Sequence, residues 1–277
     1  MNNPRTVAIL GLGEAGSAFA ADLIAGGVLV RGYDPVGSRT SGVTATASEA
    51  EACTGADLIL SLTTAHEAEA ALIAALPGIA EHAPYADLNT ASAGLKRRLA
   101  GIARGHSVGF ADVALMAPVP GRGITTPALV SGECAPAVVG AVNALGGRAE
   151  LIAGPAGTAA IRKLLRSVFY KGLAAAVTEA LRASREAGCE QWLRENITAE
   201  LVASNADTMT RLATGSRVHA VRRLDEMQAA VDLLAELDVP SYVAAAARDW
   251  CAELAAEGSR LNVPGSRIGS GRPAGDP

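Results

Sequence analysis

Residues 5–35, RTVAILGLGEAGSAFAADLIAGGVLVRGYDP, decide the fold. Thr6 to Leu10 is a short apolar run of strand character, followed by Gly11, Gly13 and Gly16 in G-x-G-x-x-G spacing. Ala15, Ala18, Phe19, Leu23 and Ile24 then recur with helical period until Gly26 and Gly27 stop the helix. Val28 to Tyr33 reads as a second strand, with Asp34 at its tip. Strand, glycine turn, helix, strand and acidic residue in this order make one βαβ unit of the dinucleotide-binding kind. In such a unit Gly11 makes the tight turn, Gly13 lets the backbone approach a pyrophosphate, and Gly16 lets helix and strand pack closely. The helix N-terminus, with Leu12, Glu14 and Ala15 around it, offers unpaired N–H groups and a favourable dipole to the phosphates. Asp34 is expected to accept from the ribose hydroxyls and to repel a 2′-phosphate, which favours NAD. Ser38 and Arg39 follow closely, and an arginine folded over a phosphate would favour NADP instead.

Working outward, further strands are expected in ADLILSL (56–62), APYADLN (83–89), HSVGFADVAL (106–115) and PALVSG (127–132). Helices are expected between them, near 66–75, 93–103 and 135–145. Strands alternating with helices imply a mostly parallel, doubly wound sheet, an α/β domain of Rossmann type. Ligands of such sheets bind beyond the carboxyl ends of the strands. The polar residues of SLTTAHE and DLNTASAG therefore point toward the cofactor: Thr63, Thr64, Asn89, Thr90 and Ser92. Each could equally be a cap or a turn residue, as Ser and Thr often are.

After LIAGPAG (151–157) the texture changes and strand signals cease. TAAIRKLLRSVFYKGLAAAVTEALRASREAG is a long helical run ended by Gly188, and AAVDLLAELDVP and SYVAAAARDWCAELAAE supply later helices broken at Pro240. The expected organisation is a dinucleotide-binding domain over 1–154, an all-helical domain over 155–258, and a Gly/Pro/Ser-rich flexible tail over 259–277.

Composition narrows the function classes. The 277 residues are 49% hydrophobic, enough to bury the core of one large or two modest domains. A net charge of −4 argues against non-specific nucleic-acid binding, which needs a basic surface. Cysteines 53, 134, 189 and 251 have neither paired nor metal-ligand spacing, as expected of reduced thiols in a cytoplasmic protein with no bound metal. Charged residues interrupt every apolar run before it reaches membrane-spanning length, so no membrane partner is expected. Asn2, Asn3, Pro4 and Arg5 lead straight into a strand, unlike a signal peptide.

Three blocks in order, GLGEAGSAFAADLIAGG, DVALMAPVPGRG (112–123) and GPAGTAAIRKLLRS (154–167), give the chain a family resemblance. It resembles the 6-phosphogluconate dehydrogenase and β-hydroxyacid dehydrogenase superfamily over nearly its whole length. The second block looks like that family's substrate loop, so the resemblance implies substrate contacts at Pro118, Val119, Gly121 and Arg122. Where the family has Ser-Gly-Gly after Pro-Val, this chain has Pro120, Gly121 and Arg122. The third block looks like the catalytic helix, which places Lys163 on the family's lysine and Ser167 where the family has an asparagine. MAPV, the Lys171–Gly172 pair and HAVRRLDEM (219–227) look like a less characterised branch with its own C-terminal helical domain. The resemblance further implies a homodimer formed through that domain.

Lys163 and Lys171 stand eight residues apart, with Ser167 midway. At about 100° and 1.5 Å per residue, Lys171 lies about 80° around from Lys163 and about 12 Å further along. Lys163 is expected to take the hydroxyl proton as hydride leaves the adjacent carbon, with Ser167 hydrogen-bonding the substrate and Lys171 deeper along the strip. A free lysine has a pKa of about 10.4, which burial and neighbouring cations lower. In GSRVHAVRRLDEM, residues His219, Arg222, Arg223 and Glu226 follow i, i+3, i+4, i+7 spacing and so share a helical face. That face is either a solvated ion network or, with Arg122, a clamp for an anionic substrate. The expected activity is NAD(P)-dependent hydride transfer on a small acidic hydroxy or carbonyl compound. An imine reductase on the same scaffold and a dinucleotide sensor that has lost catalysis are the alternatives.

Overall fold

A computed structural model of the chain describes residues 4–37 and 40–261. The chain forms two compact units, Met1–Ser167 and Val168–Pro277.

The first unit is built on one eight-stranded sheet. Its strands are β1 (Thr6–Leu10), β2 (Leu29–Tyr33), β3 (Thr44–Ala45), β4 (Leu58–Ser61), β5 (Tyr85–Asp87), β6 (Phe110–Leu115), β7 (Ala128–Ser131) and β8 (Ala149–Leu151). They lie in the order β3-β2-β1-β4-β5-β6-β7-β8. All neighbours run parallel except β6 and β7, which pair antiparallel. Helices α1 (Glu14–Ala25), α2 (Glu49–Cys53), α3 (Ala68–Ala75), α4 (Ala93–Gly105) and α5 (Ala135–Ala144) connect them, and α6 (Thr158–Glu186) leaves β8. This is the doubly wound architecture that the alternating segments imply.

Alternation along the central strands sorts the core onto the two faces of the sheet. Val7, Ile9, Leu58, Leu60, Ala86 and Val113 enter one apolar cluster with Phe19, Leu23 and Val138. Ala8, Leu10, Ile59, Tyr85 and Phe110 enter the other, with Leu72, Leu99 and Ala103.

The second unit holds most of α6 and the helices α7 (Glu190–Ala203), α8 (Ala206–Val218), α9 (Ala220–Glu236) and α10 (Tyr242–Leu261). Glu179 of α6 accepts from the N–H groups of Val243 and Ala244, both at 2.8 Å, and so caps the N-terminus of α10. Its own core is small, centred on Ala183, Leu234, Val239 and Ala244. Of the tail expected over 259–277, residues 259–261 continue α10 instead, and the rest lie outside the described residues.

The single helical face expected over residues 219–226 needs correction. His219 has φ −110° and ψ 23°, and it sits in the junction that ends α8 and starts α9. Of the four, only Arg222, Arg223 and Glu226 belong to α9, and His219, with its non-helical dihedrals, separates them from α8.

Candidate functional site

The glycine turn between β1 and α1 opens a cavity of about 580 Å³ at the carboxyl ends of β1, β2 and β4. Gly11, Gly13, Glu14, Ala15, Asp34, Thr63 and Thr64 line it, so the fold brings seven of the residues expected there to one place. Gly11 has φ +88°, and a Cβ on it would lie 2.5 Å from the Leu62 carbonyl oxygen. Only glycine lets the β4 loop pass so close. A Cβ on Gly16 would fall 1.9 Å from the Gly11 carbonyl oxygen, so α1 can start against its own turn only because that position is bare. A Cβ on Gly13 would meet nothing within 4 Å. Gly13 therefore borders open space at the N-terminus of α1, a cradle of the kind a pyrophosphate fills.

Leu12 and Asp34 shape this turn from beneath. The Asp34 carboxylate accepts from Leu12 N–H at 2.8 Å through Oδ2 and from Val36 N–H at 2.9 Å through Oδ1. Glu49 and Glu67 also line the cavity, so with Glu14 and Asp34 its described wall carries four carboxylates and no basic side chain. Arg39 and Ser38 lie outside the described residues.

Asn89 is buried and joins the cavity wall to the sheet interior. Its Nδ2 donates to Thr63 Oγ1 at 3.1 Å, to Ser61 Oγ at 3.2 Å and to Asp87 Oδ1. Register explains the company it keeps. Ser61 pairs with Asp87, Asp87 with Asp112 and Asp112 with Ser131, which makes a polar row across four neighbouring strands. All four of these residues are fully buried. Lys96 of α4, 1% exposed, reaches down into the row. Its Nζ lies 2.7 Å from Asp87 Oδ2, 3.0 Å from Asp112 Oδ1 and 2.8 Å from the Asp87 carbonyl oxygen. Those two carboxylate oxygens meet no other described donor. Burial pushes the Asp87 carboxyl above the usual carboxylate range, against the opposing pull of Lys96 and Asn89. Removing one member of such a buried ion set costs about 3–5 kcal/mol, because a charge is left uncompensated.

The other oxygen of Asp112 turns to α6. Asp112 Oδ2 accepts from Gly157 N–H and Ala160 N–H, both at 3.0 Å, and from Ser131 Oγ at 3.4 Å. Ser131 Oγ in turn accepts from Ala159 N–H at 3.0 Å. Lys163 and Ser167 follow on α6 within the same unit, and both side chains are half-buried.

Lys96, Asp87 and Asp112 are not among the residues expected from the sequence. One signal was present: Lys96, Leu99 and Ala103 recur at i, i+3 and i+7, so the lysine sits on the buried stripe of its helix.

Other expected residues have the following places. Ser92 is the N-cap of α4, its side chain accepting from Leu95 N–H at 3.2 Å, and Thr90 is exposed beside it. In the loop after β6, Val119 is buried in the core while Pro118, Gly121 and Arg122 are exposed. Asp22 of α1 anchors that loop by accepting from Ile124 N–H at 2.9 Å. Lys171, His219 and Arg222 belong to the second unit and are exposed. Arg222 pairs with Glu226 at 2.8 Å, and Arg223 donates to Ser216 Oγ at 2.6 Å.

A glycine turn, an acidic strand tip and a cavity over the carboxyl ends of a parallel sheet define a dinucleotide-binding domain of the oxidoreductase kind. Residues 6–122 match the family model of the NAD binding domain of 6-phosphogluconate dehydrogenase. Residues 184–254 match a domain of unknown function (DUF1932), in keeping with a branch that has its own helical domain.

Among solved structures, a conserved hypothetical protein from Sinorhizobium meliloti 1021 is 26% identical. Its TM-score is 0.58, with 95% of this chain and 91% of that chain covered. The conserved protein MTH1747, of unknown function and described as structurally similar to 3-hydroxyacid dehydrogenases, is 28% identical. Its TM-score is 0.59, with 92% and 98% covered. An imine reductase from Myxococcus stipitatus in complex with NADP+ shares the fold at a TM-score of 0.75 and 20% identity, over 91% and 95% of the two chains. No curated protein matches the chain. Among the described residues, no helix is long and apolar enough to cross a membrane.

Proposed function

We propose that the protein is an NAD-dependent oxidoreductase that interconverts a small anionic hydroxy acid and its carbonyl counterpart, with Lys163 as general acid/base. The observation that carries this reading is a shared frame. The sheet that bears the glycine turn also anchors, through Asp112, the start of the helix that bears Lys163.

Gly11, Gly13, Glu14 and Ala15 would hold the pyrophosphate at the N-terminus of α1, and Asp34 the adenosine ribose. The four carboxylates of the cavity wall would repel a 2′-phosphate, which supports NAD over NADP. The cofactor, when bound, supplies the acceptor or donor of a hydride at its nicotinamide ring. Thr63, held by Asn89, would stand at the wall of that cavity. In the oxidative direction the substrate C–H electron pair leaves as hydride, and the hydroxyl proton passes to the neutral Lys163 amine as the C=O bond forms. In the reductive direction the Lys163 ammonium returns that proton to the oxygen. Ser167, one turn further along α6, would hydrogen-bond the substrate, and Arg122 on its exposed loop would attract a carboxylate.

A homodimer fits the surface of the helical unit. Trp192, Met209, Leu212, Val218, Val221, Tyr242 and Trp250 are all more than half exposed, around a core of only a few buried side chains. Apolar surface on this scale is typically covered by assembly.

The test is a cofactor absorbance assay over small hydroxy acids, keto acids and cyclic imines, with wild-type and Lys163→Ala proteins. Turnover of the acids by wild type and its loss in the variant is the expected result. Turnover of imines alone would remove the hydroxy-acid class, and NADH binding without turnover of any compound would remove the enzyme reading.

A further inference from the structure

We propose that Asp112 is a positioning residue for the reaction at Lys163. Its buried carboxylate, charge-compensated by Lys96, caps α6 from the sheet and so fixes where Lys163 stands. The inference rests on the reading of Lys163 given above.

A helix is usually capped by a residue next to it in sequence, which stabilises the helix wherever the helix happens to lie. Here the acceptors come from far away. Asp112 receives the N–H groups of Gly157 and Ala160 across 45 and 48 residues of chain, and Ser131 receives that of Ala159 across 28. Caps supplied by two neighbouring strands satisfy the helix in one position only. Any slide or rotation of α6 would break three hydrogen bonds in a buried site, where an unmet N–H is costly.

The same point is pinned from a second side. Gly157 has φ +100°, and a Cβ on it would lie 2.9 Å from the Ala93 carbonyl oxygen, so the start of α6 is pressed against the start of α4. Lys163 follows Ala160 by three residues, about 4.5 Å along the helix axis, so little compliance separates the anchored turn from the amine.

Lys96 has a distinct part. Asp112 stands in register with Asp87, and two buried carboxylates side by side repel one another. The Lys96 ammonium bridges both and leaves Asp112 Oδ2 for the helix.

The decisive comparison uses two full-length variants matched in charge: Lys96→Met/Asp87→Asn and Lys96→Met/Asp112→Val, the valine leaving no acceptor for the helix. Each loses one ammonium and one carboxylate, but only the first keeps Asp112 on α6. The measurements are the NADH dissociation constant, amide exchange at Gly157 and Ala160, and kcat and KM on a substrate found in the panel above.

The second variant is expected to exchange those two amides at least tenfold faster than the first. Its kcat should be at least tenfold lower, with NADH affinities within threefold of each other. Equal exchange in the two would overturn the cap, and unequal exchange with equal kcat would overturn its positioning role. Should the second variant fail to bind NADH, Asp112→Val alone, which leaves the Lys96–Asp87 pair intact, takes its place against wild type under the same criteria. Failure of the underlying reading shows separately, as a Lys163→Ala protein that turns over normally.

Discussion

Gly13→Ala and Gly16→Ala add the same methyl group three residues apart, yet they should injure different properties. At Gly16 the added carbon would lie 1.9 Å from the Gly11 carbonyl oxygen, and ordinary contact begins near 3.4 Å. The turn and α1 must therefore separate by the difference, 1.5 Å. The obstacle is backbone, which cannot rotate aside, so the cost belongs at the upper end of overpacking, about 3 kcal/mol or more. At about 2–4 °C per kcal/mol, the N-terminal unit should melt about 6–12 °C lower. At Gly13 the added carbon meets nothing within 4 Å, and its φ of −66° is one that alanine readily adopts. Loss of a good N-cap residue and gain from a stiffer unfolded chain nearly offset, leaving stability within about 0.5 kcal/mol of wild type. The methyl would occupy the proposed pyrophosphate cradle, however, and NADH affinity should fall at least tenfold, about 1.4 kcal/mol. Thermal unfolding by circular dichroism and NADH fluorescence titration separate the two effects. A Gly13→Ala protein that binds NADH as tightly as wild type, or that loses as much stability as Gly16→Ala, would refute the reasoning.

Asp34→Asn removes one of the four carboxylates of the cavity wall and should raise the NADPH-to-NADH affinity ratio by about threefold or more, read by the same titration; an unchanged ratio contradicts the assignment of that wall to the ribose. Burial, with a smaller push from Glu49, raises the Cys53 thiol to about 12. In timed alkylation followed by mass spectrometry, exposed Cys189 should therefore be labelled first and Cys53 last. Lys96→Met removes the largest influence holding the Asp87 carboxyl down, so burial raises it further. A carboxyl raised in the fold contributes stability that is present below its unfolded value, near 4, and lost as pH rises through the folded value. The variant's melting temperature should fall more steeply than that of wild type as pH rises from about 4 toward neutrality; parallel profiles contradict the role given to Lys96.

What the sequence made legible was carried by local chemistry. The turn of Gly11, Gly13 and Gly16 was legible from its spacing: Gly16 answers to the Gly11 carbonyl within the same turn, Gly11 to the Leu62 carbonyl beyond the adjoining strand, and Gly13 to open space. Strands β4 to β7 were likewise visible as short apolar runs between breakers. Among the elements that escaped, β3, α2 and β8 are two, five and three residues long, and β8 is Ala-Glu-Leu with its last two side chains exposed. Such pieces exist because a neighbouring strand or helix receives them, not because their own pattern demands it. The buried ion set escaped for a related reason. Asp87 and Asp112 look like ordinary strand polar residues until register sets them side by side, and Lys96 looks like a solvated helix lysine until α4 packs on the sheet. The break at His219 was hidden because a polar i, i+3, i+4, i+7 pattern is blind to a helix junction within it.

The account stands on Lys163 moving the proton at the reacting carbon. Its most direct test is the single-turnover rate of NADH oxidation on a keto acid, in wild-type and Lys163→Met proteins saturated with cofactor. General acid/base groups supply about 10²–10⁴-fold, so the variant should be at least a hundredfold slower while binding NADH within threefold of wild type. A variant that turns over at a rate close to wild type would contradict the account.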